Sequence, residues 1–285
     1  IDFEIILSTE NDQIAIAPGT LEKEWEAGGR RHFHYKMDQA MVNYYSIVSA
    51  RYAVKKDNWN GVNLEIFYHP SHHQNLERMM KGMKDALAYY TENFGPYPHL
   101  QLRIMEFPRY QAFAQSFANT IPFSESMGFG LDVKEGDVDL LYMTTVHEVA
   151  HQWWGHQVIQ AEVQGKSMLS ESLAEYSTLM VMKQHYGEEE INKLIEHSIH
   201  TYLEGRANES EKEMPLNLVE NQAYIHYEKG TMAMYALQDY VTEDSVNDAL
   251  KKYLTEWKER KDRYPTSEDL ISYLRKATPD SMKYV

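Results

Sequence analysis

With 285 residues, the chain is long enough to bury a sizeable core as one large or two modest domains. Its 43 acidic and 28 basic residues give a formal charge of -15, which excludes a nucleic-acid partner because phosphate binding needs clustered Lys and Arg. There is no cysteine, so disulfides and thiolate metal sites are excluded and any metal must be held by His and carboxylate.

From Ile1 to about Pro70 the chain reads as a β region. Short apolar or alternating runs (Ile14 to Ile16, Tyr44 to Val48, Val62 to Tyr68) are separated by Pro18-Gly19, Gly28-Gly29 and Asn60-Gly61. From Asn75 the period becomes helical through Leu76, Met79, Met80, Met83, Leu87 and Tyr90, and the run stops before Gly95-Pro96. A strand over Gln101 to Glu106 and an irregular aromatic stretch through Phe113, Phe117 and Phe123 follow. The Asp137-Val138-Asp139 cluster offers caps for a helix from about Leu140 to Trp154, closed by Gly155. Ser167 is placed to cap a second helix from about Met168 to Tyr186, ended by Gly187, and the remainder is largely helical with breaks at Pro215 and Pro265. The fold class is therefore α+β, mostly helical after an opening β part.

The chemistry is concentrated in His147-Glu148-Val149-Ala150-His151. Positions i and i+4 stack on one helix face, so His147 and His151 can aim two imidazole nitrogens at one point with Glu148 beside them as a base. Glu171, in the first turn of the following helix, completes a two-His-one-Glu set that leaves an open position for water, the pattern of a catalytic zinc with one Zn2+ per chain. Zinc lowers the pKa of its water towards roughly 7, and Glu148 is placed to take that proton. Glu175, one helical turn past Glu171, reads either as the acceptor that orients a ligand imidazole or as an exposed surface charge.

These residues resemble the gluzincin metallopeptidases, specifically the family of aminopeptidase N and leukotriene-hydrolase enzymes. His147 to Gly155 (His-Glu-Val-Ala-His-Gln-Trp-Trp-Gly) is similar to that family's extended zinc signature, and Leu169 to Tyr176 to its third-ligand helix. The interval from His151 to Glu171 is one residue longer than the usual pattern, which places an inserted residue in a loop between Gly155 and Lys166. Tyr227-Glu228-Lys229-Gly230 is similar to a third family motif. The resemblance makes Tyr227 the phenol that hydrogen-bonds the oxyanion of the tetrahedral intermediate, with Tyr224 as the nearby fallback. It implies a thermolysin-like catalytic domain, with residues 1–69 as the end of a preceding β domain, 70–240 as the catalytic domain and 241–285 as a helical continuation.

One departure bears on specificity. Family exopeptidases carry Gly-x-Met-Glu-Asn on an edge strand, where the Glu binds the substrate's free α-amino group. Here the corresponding stretch is Gln115 to Thr120, with Ala118 at the glutamate position and Asn119 after it. Glu125 could reach in from the same segment as a substitute, or be a solvated loop carboxylate.

The expected function is thus a zinc-dependent peptidase, aminopeptidase-like but lacking the usual amine anchor, with exo and endo action both open and a peptide as substrate. The alternative is a non-hydrolytic, zinc-containing peptide-binding or structural domain of a membrane transporter assembly. The stretch Ser116 to Ser126 also resembles bacterial proteins in which such a domain is attached to the permease of an ABC-type exporter, which would place it on the extracytoplasmic face of the membrane. No apolar run approaches the roughly 20 residues that span a bilayer, so this part of the chain crosses none, although a full-length protein could be membrane-attached. Beginning at Ile1 without an initiator Met, the chain reads as part of a longer protein. His32 with His34 and the His72-His73 pair lack a third ligand at useful spacing and read as surface polar residues.

Overall fold

In the computed structural model, which describes residues 1–134, 138–258 and 260–283, strands predominate in the first part and helices in the second, an α+β fold as expected. The first seven strands are β1 (Glu4–Glu10), β2 (Ile14–Ile16), β3 (Thr20–Ala27), β4 (Arg30–Lys36), β5 (Val48–Ala50), β6 (Ala53–Trp59) and β7 (Val62–Tyr68). Gly28 and Gly29, like Asn60 and Gly61, all have positive φ, the two-residue turn whose twist matches that of the strands it joins. These turns fold β3 on β4 and β6 on β7, and β1 completes a β1-β4-β3 sheet. Strand structure starts only at Val48, not at Tyr44. The Tyr44 ring packs on Phe117 and that of Tyr45 on Phe3, and Tyr44 N–H turns back to the Val42 carbonyl at 2.7 Å instead of joining a ladder.

The helix α1 (Leu76–Asn93) crosses from β7 to β8 (Gln101–Phe107), which lies parallel to β7 and to β9 (Thr120–Ser124). In this β6-β7-β8-β9 sheet β8, one of the two inner strands, is buried along its whole length. Apolar side chains of the first strands gather with Ala118 in one cluster that includes Phe3, Ala15, Phe33, Tyr35, Met37 and Met41.

Among the described residues six further α-helices follow: α2 (Leu140–Ala150), α3 (Leu173–Tyr186), α4 (Glu188–Asn208), α5 (Gly230–Val241), α6 (Glu243–Lys258) and α7 (Ser267–Ala277). Two compact units result, Ile1–Asp85 with Pro98–Gln152 and Ala86–Tyr97 with Trp153–Val285. All the strands belong to the first. In the second, Trp153 donates to the Gly95 carbonyl at 2.9 Å and Trp154 to Ser177 Oγ at 2.8 Å, which satisfies two buried indoles while their rings pack on Tyr90 and Phe94. Among the described residues no helix is long and apolar enough to cross a membrane.

The cap of α2 follows the sequence expectation, and two other local features differ from it. Asp139 caps α2 by accepting from Tyr142 N–H at 2.9 Å, whereas Asp137 lies outside the described residues. The helix stops at Ala150 rather than Trp154, since Gln152 N–H turns back to the Val149 carbonyl at 3.0 Å. Ser167 caps nothing; its own backbone is already helical (φ -65°, ψ -23°), a conformation that does not aim the hydroxyl at the following N–H groups. The next five residues, Met168–Ser172, form a π-helical turn that leads into α3, and Ile225–Lys229 form another that leads into α5.

Candidate metal centre

The buried apolar side chains Leu141, Val146, Val149 and Ala150 fix α2 against the interior, and this sets where its polar residues point. His147, Glu148 and His151 are 8 %, 6 % and 9 % exposed. The two Nε2 atoms lie 3.1 Å apart, with ring centroids at 4.7 Å and ring planes at 82°. Two nitrogens each about 2.05 Å from a common ion and separated in this way would subtend roughly 100°, near the tetrahedral angle zinc prefers.

Glu171 stands half-buried in the Met168–Ser172 turn. Among the described residues one set of side chains could hold a metal: His147, His151 and Glu171, whose ligand atoms all lie within 4.8 Å of one another. Two imidazoles and one carboxylate fit zinc, since three protein donors leave a coordination position for water. Glu175 lies half-buried in the first turn of α3, one α-helical turn past Glu171.

Tyr227 is half-buried in the Ile225–Lys229 turn. That turn is tied to the turn carrying Glu171, because Ser172 Oγ donates to the His226 carbonyl at 2.6 Å and Gly230 packs directly on Ser172. The sequence reading passed over His226. Its ring is buried, which lowers its pKa from the ordinary value, while the charge of Glu171 acts in the opposite direction. Its position directly before Tyr227 is the one signal in the sequence that could have drawn attention to it. Tyr224, the fallback, is half-exposed and packs against Tyr202.

Ala118 and Asn119 form the turn of a tight hairpin closed by Phe117 and Thr120, which exchange two backbone hydrogen bonds at 2.9 and 3.1 Å. Ala118 is buried in the apolar cluster of the first strands. Asn119, at φ 53°, is buried too: its Oδ1 accepts from Gly19 N–H at 3.2 Å and its Nδ2 donates to Met37 Sδ at 3.1 Å. Glu125 goes elsewhere. The Arg109 guanidinium donates to it at 2.8 and 3.2 Å and holds its carboxyl below the usual carboxylate range, against the effect of burial. It lines a cavity of about 550 Å³ at the carboxyl ends of the parallel strands, with His69, His72 and Glu106.

The Peptidase family M1 domain matches residues 78–285. Human endoplasmic reticulum aminopeptidase 2 is 24 % identical over 98 % of the chain, and rat endoplasmic reticulum aminopeptidase 1 is 22 % identical over 86 %. The chain spans 30 % and 26 % of those proteins, less than a third of their length. An M1 zinc metallopeptidase from Deinococcus radiodurans superposes with a TM-score of 0.74 at 16 % identity, covering 97 % of this chain and 60 % of that one. A two-domain M1 zinc metallopeptidase mutant bound to L-tryptophan gives a TM-score of 0.75 at 16 % identity, covering 99 % and 62 %. With nearly three quarters of its length matched, the chain belongs to peptidase family M1, the aminopeptidase N-like gluzincins.

Proposed function

We propose that the chain is the catalytic part of a zinc peptidase, with His147, His151 and Glu171 holding one zinc ion. The observation that carries this reading is the convergence of their ligand atoms within 4.8 Å. The organisation that goes with it is a β-domain end (1–69), a thermolysin-like catalytic domain (70–240) and a helical continuation (241–285).

A zinc ion held there would supply Lewis acidity and would bring the pKa of a bound water towards roughly 7. Glu148, on the same helix and 6 % exposed, takes the proton of the attacking water on a carboxylate oxygen and hands it to the departing amine. Tyr227 donates its phenolic O–H to the scissile carbonyl oxygen as negative charge gathers there, a contribution of several kcal/mol for a preorganised donor. Glu175 accepts from a ligand imidazole and orients it.

The substrate is a peptide, and the action is aminopeptidase-like without the usual amine-anchoring carboxylate. Ala118 lies in an apolar cluster, Asn119 spends its side chain on Gly19 and Met37, and Glu125 is paired with Arg109. This arrangement also favours the second reading, a non-hydrolytic peptide-binding or structural domain of a membrane transporter assembly, exposed on the extracytoplasmic side. Glu148 and Tyr227 favour hydrolysis, because a binding module has no use for a base and an oxyanion donor.

The decisive experiment combines metal analysis with a substrate panel of amino-terminal aminoacyl reporters and internally quenched, blocked peptides. The peptidase reading expects near one zinc per chain and cleavage of at least one class, with Glu148→Gln keeping the metal and losing on the order of 10²–10⁴-fold in rate. Bound zinc without cleavage of either class would select the binding domain, and folded protein that takes up no zinc would refute both.

A further inference from the structure

The residue after the second histidine has no role in the chemistry above, yet it is among the most firmly held side chains in the molecule. Gln152 is 1 % exposed. Its Nε2 donates to Ser116 Oγ at 2.6 Å and to the Phe117 carbonyl at 2.9 Å, and its Oε1 accepts from Asn119 N–H at 2.8 Å. All three partners belong to the Phe117–Thr120 hairpin or its immediate approach. That hairpin is itself anchored: Asn119 also accepts from Gly19 N–H through its side chain and from Arg103 N–H through its carbonyl at 3.0 Å.

The place of this anchor in the chain gives it a purpose. α2 stops at Ala150, so His151 is its cap rather than an interior residue, and the His151 N–H reaches the His147 carbonyl only at 3.4 Å. A ligand on a loosening last turn needs another constraint to keep its imidazole aimed at that of His147. Two donors and one acceptor met by two acceptors and one donor fix the Gln152 amide in a single orientation, since flipping it would set like against like. The adjoining Cα of His151 is fixed with it.

We propose that Gln152 is the positioning residue for His151, and that through it the Phe117–Thr120 hairpin sets how tightly the metal is held. The proposal rests on the zinc reading above. It differs from a purely architectural role for Gln152, in which loss of the side chain would lower stability and leave the metal affinity of the folded protein untouched.

Gln152→Met preserves side-chain length and removes all three bonds. Gln152→Glu keeps an acceptor for Asn119 N–H and loses both donors. Ser116→Ala removes one partner and leaves Gln152 in place. Zinc affinity of each folded variant would be measured by chelator competition, beside the melting temperature of the metal-free form and the visible spectrum of the cobalt-loaded form.

Gln152→Met is expected to bind zinc 10–100-fold more weakly, as for loss of a group that orients a ligand, with Gln152→Glu and Ser116→Ala in between and the cobalt bands shifted. Unchanged affinity and unchanged cobalt spectra in the folded variants would overturn the proposal, even if their metal-free forms melt earlier. If Gln152→Met does not fold, the other two variants decide in the same way. Absence of zinc from the wild-type protein would instead refute the metal reading itself.

Discussion

Replacing Gly230 with alanine tests how the turn carrying Glu171 is packed against the turn carrying Tyr227. Gly230 opens α5 in helical conformation, where alanine is ordinarily preferred by about 1 kcal/mol. Here an added Cβ would lie 2.6 Å from Ser172 Cβ and closer still to its hydroxyl, inside van der Waals contact. Overpacking of that kind costs about 1–3 kcal/mol. Displacing the Ser172 hydroxyl from the His226 carbonyl, a 2.6 Å bond, costs about 1–2 kcal/mol more. Set against the helix preference, the net expectation is a destabilisation of about 2–3 kcal/mol, or a melting temperature lower by on the order of 5–10 °C. The assay is thermal unfolding of Gly230→Ala in wild-type and Ser172→Gly backgrounds. Removing the Ser172 side chain removes the clash, so the same change should be neutral or stabilising there, with a coupling of about 2–4 kcal/mol. Equal effects in the two backgrounds would refute the packing argument.

Tyr227→Phe should keep its zinc and its KM while kcat falls roughly 100-fold or more; a retained kcat would remove the phenol from the oxyanion role. Thr242→Gly should raise stability by about 1 kcal/mol. Thr242 sits at φ 85°, ψ 148°, a region that costs a β-branched residue about 1–3 kcal/mol, and glycine gives back only part of this in chain entropy and in the cap on Ser245 N–H. A lowered denaturant midpoint would count against that strain. Asp269 receives both arms of the Arg263 guanidinium, which holds its carboxyl below the ordinary aspartate value of 3.8 despite some burial. A depressed folded-state pKa contributes stability that is present above 3.8 and lost as pH falls through the lower folded value. The melting-temperature gap between wild type and Asp269→Asn should therefore be constant near neutral pH and close in acid, and a gap that does not respond to pH would rule the linkage out.

Much of the fold was legible because it rests on local signals. The Asn60-Gly61 hairpin, α1 with its Leu76-Met79-Met83 face and the caps at Asp139 and Gly187 follow from turn chemistry and periodicity over a few residues. Likewise His147 and His151 needed only the spacing of one helical turn to be read as a pair. What escaped depends on partners distant in the chain. Periodicity carried α2 to Trp154, whereas the side chain of Gln152 is taken by a hairpin more than 30 residues upstream, and the backbone turns after Ala150. The gathering of His72, Glu106 and Glu125 in one cavity comes from three parallel strand ends that no local pattern can bring together. The π turns were invisible for a different reason: their residue types are those of any amphipathic helix, and only the backbone registers the additional residue.

That additional residue changes how length variation in this stretch is to be understood. A turn closed by i→i+5 bonds contains one residue more than an α turn. Deleting a single residue from Met168–Ser172 would let the helix close up as ordinary α-helix, rotating what precedes it by about 100° and shifting it about 1.5 Å along the axis. A single-residue insertion or deletion within Met168–Ser172 is thus a change of helix type rather than of loop length.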